Sequence, residues 1–168
     1  ISRERIYTET TKLLLGKGAR RILSTFPEVI SFIFPALTEE MICRAAALVE
    51  RCPRDAEMRY AVLFSELDAK EEERMISSMK PSRAEKNAVL RYSEYENYRN
   101  YLDCEYEVRR LISETDDGFV FSLTDMQLSR GVITDEEYAA VREMISEIIE
   151  KNLPRKLSDL AVDGKTLM

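Results

Sequence analysis

The sequence predicts an all-α fold, a compact bundle of short and medium helices, and three observations predict it. Apolar residues recur at helical spacing along most of the 168 residues. Hydroxyl and carboxylate residues stand at the positions where helices begin, twice in the capping-box form: Ser82-Arg83-Ala84-Glu85 and Thr134-Asp135-Glu136-Glu137. Nothing alternates with period two for long enough to make a sheet, although Phe119-Val120-Phe121 resembles a strand when read alone.

In chain order, Ser2 caps a first helix running to about Leu15, which Lys17-Gly18 breaks. Ala19 to Thr25 makes a short helix ended by Phe26-Pro27. Pro27 suits a first helical position, and Val29, Ile30, Phe32, Ile33 and Phe34 make the next segment almost wholly apolar, so it is expected in the core. Thr38 caps Glu39 to Arg51, where Met41, Ala45, Leu48 and Val49 share a face, and Cys52-Pro53 closes it. Asp55 to Leu67 follows, with Met58, Val62, Leu63, Phe64 and Leu67 on one broad face. The helix after Thr134 carries Tyr138, Val141, Ile145 and Ile148 as a stripe, supported by Met144 and Ile149. No repeat, low-complexity stretch or long linker interrupts the chain.

Composition excludes several chemistries. The chain holds no histidine, so it can supply no serine triad, histidine zinc site or histidine-aspartate phosphohydrolase centre of its own. Five glycines leave little room for a phosphate-cradling loop. No apolar run approaches the ~20 residues that span a bilayer, and the stretch Ile1-Ser2-Arg3-Glu4 is not expected to be a signal peptide. Cys43, Cys52 and Cys104 form no C-x-x-C pair, and they are expected as reduced thiols of a cytoplasmic protein. Beginning without an initiator methionine, the sequence is expected to be a piece of something longer.

Charge is uneven. Residues 1–56 carry nine Lys/Arg against seven Asp/Glu, residues 57–150 twelve against twenty-two, and residues 151–168 four against two. An acidic middle between mildly basic ends does not resemble a general nucleic-acid binder but permits narrow contact with polyphosphate through the ends. Glu71-Glu72-Glu73 and Asp116-Asp117 fall where helices start, where negative charge is favourable without any catalytic role. Tyr92, Tyr95, Tyr98 and Tyr101 recur every three residues beside Arg91 and Arg99. That spacing drifts about 60° per step around a helix, so half-buried packing is expected rather than a base-stacking platform.

Three patterns resemble the bacterial CCA-adding tRNA nucleotidyltransferases, in that family's order. Ile1-Ser2-Arg3-Glu4-Arg5-Ile6, with Glu9, is similar to the end of the family's neck. Ser24 to Leu37 is similar to its helix ending in Pro-Glu-Leu, with Ala36 where glutamate is usual. Leu157 to Met168 (LSDLAVDGKTLM) resembles the segment that leads from body to tail. Arg59 to Leu67 also resembles the related histidine-aspartate signature, with Ser65 and Glu66 at the ligand positions. Serine cannot replace imidazole as a metal ligand, so this likeness implies a degenerate arrangement without metal.

The resemblance implies residues 1–37 as the end of a neck with the first body helices, and residues 38–168 as a helical body leading to a missing tail. The family's catalytic head, with its D-x-D pair for Mg²⁺, has no counterpart here, so no catalytic or metal residue is assigned and the chain alone should be inactive. The implied parent reaction adds C, C and A to tRNA from CTP and ATP with Mg²⁺. Ser2, Arg5 and Glu9 become structural residues of the neck signature, with Arg5 and Glu9 paired four apart. Lys17, Arg20 and Arg21, together with Arg155, Lys156 and Lys165, become the candidate RNA-binding residues, expected on one side of the body. The expected partners are tRNA and the parent's head, with no membrane. A bacterial poly(A) polymerase body and a degenerate histidine-aspartate-like scaffold for a protein partner are the alternatives.

Overall fold

In a computed structural model, residues 2–151 can be described, and they contain no strand. Ten α-helices follow one another: α1 (Arg3–Leu15), α2 (Ala19–Thr25), α3 (Pro27–Ile33), α4 (Glu39–Arg51), α5 (Ala56–Phe64), α6 (Ala69–Ser78), α7 (Arg83–Tyr95), α8 (Glu105–Glu114), α9 (Asp117–Arg130) and α10 (Asp135–Glu150). One 3₁₀ turn, Asn100–Leu102, precedes α8. No described helix is long and apolar enough to cross a membrane. The chain divides into two compact units between Glu96 and Asn97. The boundary expected at residue 37 falls inside the first unit, because α2 and α3 both pack on α4.

Local chemistry sets most helix starts. Ser2, Thr38, Asp55, Asp68, Ser82, Asp116 and Thr134 each accept a backbone N–H from three residues ahead, satisfying a donor the helix itself cannot. Both capping boxes form, with Glu85 and Glu137 reaching back to the backbone of Ser82 and Thr134. At the other end of α9, Gly131 takes φ 73°, the left-handed conformation that suits glycine.

In the first unit α5 lies at the centre, against α1, α4 and α7. Met58 to Phe64 are all buried, as expected of a helix with neighbours all round. Tyr60 stacks between Tyr7 and Phe64 at 5.6 and 5.9 Å, and Phe34 meets Phe64 edge-on at 5.1 Å. The Tyr60 hydroxyl shares a hydrogen bond with Thr11 and donates to the Tyr7 carbonyl. Helix α5 stops at Phe64, three residues short of the expected Leu67. The chain must turn before Asp68, whose extended backbone begins the cap of α6.

Helix α3 departs from expectation. Ile30 and Phe34 are buried, but Val29 is 51% and Phe32 88% exposed. A two-turn helix packed on α4 and α2 buries only the positions facing them, and residues 29 and 32 lie on another face.

The second unit packs α9 and α8 against α10, whose Val141, Ile145 and Ile148 are buried as the stripe predicts. Phe119 and Val120 lie buried on helix α9. The tyrosine run is split: Tyr92 and Tyr95 belong to α7, whereas Tyr98 and Tyr101 lie beyond it and stack on each other at 6.2 Å. Tyr101 is wholly buried and donates to the Gln127 side chain, whose amide donates to the Tyr98 carbonyl at 2.8 Å. These rings are therefore packing groups, and Tyr92 and Tyr101 are more deeply buried than expected. No disulfide joins Cys43, Cys52 and Cys104, and Cys52 is buried.

Candidate functional site

The corner between α1 and α2 gathers the predicted cations. Helix α1 ends at Leu15 and Gly16 caps it, donating to the Leu13 carbonyl, so the chain reverses within three residues. Lys17, Arg20 and Arg21 then line one open depression of about 540 Å³ with Gly18, Ser24, Thr25 and Glu50. All three cations are exposed, and none forms an ion pair or side-chain hydrogen bond among the described residues. Three cations against one carboxylate leave the depression net positive, with two hydroxyls as further donors. The arrangement suits an anion spread over several oxygens, such as successive phosphates.

Beneath it lies a residue that sequence reasoning passed over. Arg59 is 3% exposed and hydrogen-bonds to carbonyls, with no carboxylate among its hydrogen-bond partners in the described residues. Its guanidinium donates to the carbonyls of Pro53 at 2.9 Å, Cys52 at 2.7 Å and Glu50 at 3.4 Å, and to Leu14. Leu14 lies in the last turn of α1 and Glu50 in the last turn of α4, so one side chain ties together the ends of these two helices. Carbonyls at helix C-termini carry partial negative charge and can hold a cation without a counter-ion. Burial still pulls the Arg59 pKa down. The available signal was an arginine inside the apolar run Met58 to Phe64.

Other predicted residues divide. Ser2 caps α1 by accepting the Arg5 N–H at 3.3 Å. The expected Arg5–Glu9 pair does not form: Glu9 binds Lys12 at 3.0 Å, one turn nearer the helix end. Arg155, Lys156 and Lys165 lie outside the described residues, and so does Leu157 to Met168. At the histidine-aspartate-like positions, Glu66 is held by Arg44 through two hydrogen bonds of 2.8 and 2.6 Å. Ser65 caps the end of α5. Among the described residues no three His, Cys, Asp or Glu side chains are grouped to hold a metal ion.

A second concavity, about 380 Å³, opens beside Ser65 between α6 and α7. Glu72, Glu73, Ser93, Glu94 and Glu96 line it over Phe64, Leu67 and Leu90. Glu72 is 4% exposed and accepts the Ser93 hydroxyl. Burial, with Glu96 adding negative charge, pushes its carboxyl up to about 7 against the stabilising Ser93 bond. These two concavities thus have opposite character: one presents cations, the other carboxylates, among them the buried Glu72.

Comparisons with known proteins leave the chain without a neighbour. No family model, curated protein or solved structure matches it.

Proposed function

We propose that this chain is the helical body of a CCA-adding tRNA nucleotidyltransferase or a close relative. It holds tRNA by its phosphate backbone while a catalytic head outside this sequence adds nucleotides. The observation that carries this reading is the meeting of Lys17, Arg20 and Arg21, all without an ion pair among the described residues, on one depression at the α1–α2 corner. The neck-like, helix and tail-like likenesses in Ile1–Glu9, Ser24–Leu37 and Leu157–Met168 supply the family. Cations on phosphates contribute affinity without reading bases, which suits an element that positions RNA. Mg²⁺, CTP and ATP belong to the head, and the setting is the cytoplasm. A poly(A) polymerase body would use the same surface.

A second reading draws on a different observation. Ile22, Phe26, Val29 and Phe32 are exposed on α2 and α3, from 37% to 88%. An exposed apolar stripe of this kind favours a protein partner over RNA.

Titrating labelled tRNA with the purified chain separates the two. The RNA reading expects weak binding that is indifferent to base sequence. Its logarithmic salt slope should be about −2 to −3 for three phosphate contacts. Incubation with tRNA lacking its 3′ end, Mg²⁺ and labelled CTP should give no incorporation. Absence of salt-dependent binding would leave the protein-interaction reading, and incorporation above background would show that catalysis resides in this chain.

A further inference from the structure

The turn joining α6 to α7 forms a second basic depression, in a stretch whose composition predicts repulsion of phosphate. Lys80, Arg83 and Lys86 line a concavity of about 470 Å³ with Ser77, Pro81 and Asn87, and no carboxylate lines it. The acidic surplus of residues 57–150 is unevenly spread: residues 57–96 carry seven Lys/Arg against nine Asp/Glu, and residues 97–150 carry five against thirteen. The turn therefore sits in the nearly balanced part.

Availability of the three cations differs. Arg83 forms no ion pair among the described residues. Lys80 approaches Glu4 at 3.5 Å with both side chains more than half exposed, a weak pair that an incoming anion can displace. Lys86 is held by Glu73 at 3.0 Å and is the least exposed of the three. At the start of α7 the Ser82 N–H donates to the Glu85 carboxylate and the Glu85 N–H to the Ser82 hydroxyl, and the attraction argued here is that of the three side chains.

Backbone conformation adds an independent reason to ask what Lys80 does. It has φ 54°, and no other non-glycine residue among those described has positive φ. It follows directly on the last turn of α6, a position where glycine is favoured because it has no Cβ to clash. A lysine there keeps a strained conformation that glycine would relieve, and strain of this kind gathers at binding sites.

We propose that Lys80, Arg83 and Lys86 form a second binding site for RNA phosphodiester, gripping a stretch of backbone other than the one at Lys17, Arg20 and Arg21. This rests on the RNA reading above and extends it. Two sets of cations within one unit would let the body fix the orientation of an RNA helix as well as hold it, since one contact point leaves rotation free.

The test measures binding of a labelled tRNA-like hairpin to the whole chain across salt, for wild type, Lys80→Gly, Arg83→Gln and the control Arg74→Gln. Arg74 pairs with Glu71 on α6 and does not line the depression. Lys80→Gly and Arg83→Gln should each lower the salt slope by about 0.7–0.9. Lys80→Gly should do so with a thermal midpoint equal to or above that of wild type, which loss of folding cannot mimic. Arg74→Gln should leave the slope unchanged. Wild-type slopes in both site variants, with a lower slope in Arg20→Glu/Arg21→Glu, would overturn this site and leave the first standing. If pyrophosphate at matched ionic strength shifts the Lys80 and Arg83 amide resonances and RNA does not, the site takes free phosphate and the backbone assignment falls. No RNA binding by wild type would overturn the RNA reading itself.

Discussion

The unit that ends at Glu96 and the unit that begins at Asn97 use charge in opposite ways. Up to Glu96 the chain carries sixteen Lys/Arg and sixteen Asp/Glu, and from Asn97 to Lys151 it carries six against thirteen. In the neutral unit, charges are sorted. Cations without acid partners among the described residues line the α1–α2 depression, one guanidinium is buried on carbonyls, and one buried carboxyl is pushed up to about 7. In the acidic unit, arginines are engaged by the surplus: Arg109 with Glu105, Arg110 with Glu107 and Glu114, Arg99 with Glu137, and Arg142 with Asp125. Net charge therefore says little about where an anion can bind. What matters is which cations remain without a local acid.

The largest effect should come from Arg59. Replacing it by methionine keeps much of the volume but strands the carbonyls of Leu14, Glu50, Cys52 and Pro53. A loss of at least about 3 kcal/mol is expected in urea unfolding of the first unit. A loss under about 1 kcal/mol would show that solvent satisfies those carbonyls and that the two helix ends need no tie.

Next comes Glu72. Its carboxyl binds a proton more tightly in the folded chain, near 7, than the ordinary value of 4.5. The folded state thus holds more protons between those values. Stability should fall as pH rises from about 4.5 through 7, with the full penalty present above 7. Allowing for partial access of solvent, the penalty is on the order of 2 kcal/mol. Glu72→Gln should flatten this dependence and raise the thermal midpoint at pH 8. An unchanged pH profile would mean that Glu72 is ionised in the folded chain at no cost.

A contrast between two aromatic rings tests α3. Phe34→Ala should cost about 3–5 kcal/mol, whereas Phe32→Ser should change stability by less than about 0.5 kcal/mol. A large loss at Phe32 would mean that its ring is covered, and would remove the surface on which the protein-interaction reading depends. Smallest of all, Arg109→Gln in the acidic unit should leave the RNA salt slope where it was, because Glu105 already engages that side chain.

Helix positions were legible in the sequence wherever a cap residue signed them. Thr38, Ser82 and Thr134 fix their helices to the residue because one side-chain oxygen satisfies one backbone donor, a local transaction. Burial was less legible. Val29 and Ile30 are similar as letters, and only the packing of α3 on α4 decides that one is exposed and the other buried. At the candidate site, Lys17, Arg20 and Arg21 could be read from their clustering along the chain. Lys80, Arg83 and Lys86 escaped because a charge window averages them with acids that point elsewhere. Arg59 escaped because its partners are carbonyls, which every residue carries and no sequence pattern marks.

The central claim is that the free cations at the α1–α2 corner bind RNA backbone. Its most direct test is the salt slope of tRNA binding for wild type and for Arg20→Glu/Arg21→Glu, measured from about 50 to about 200 mM salt. The double variant should lose most of the affinity at the low-salt end and its slope should be smaller by about 1.4–1.8, with an unchanged thermal midpoint. An unchanged slope in a folded double variant would contradict it.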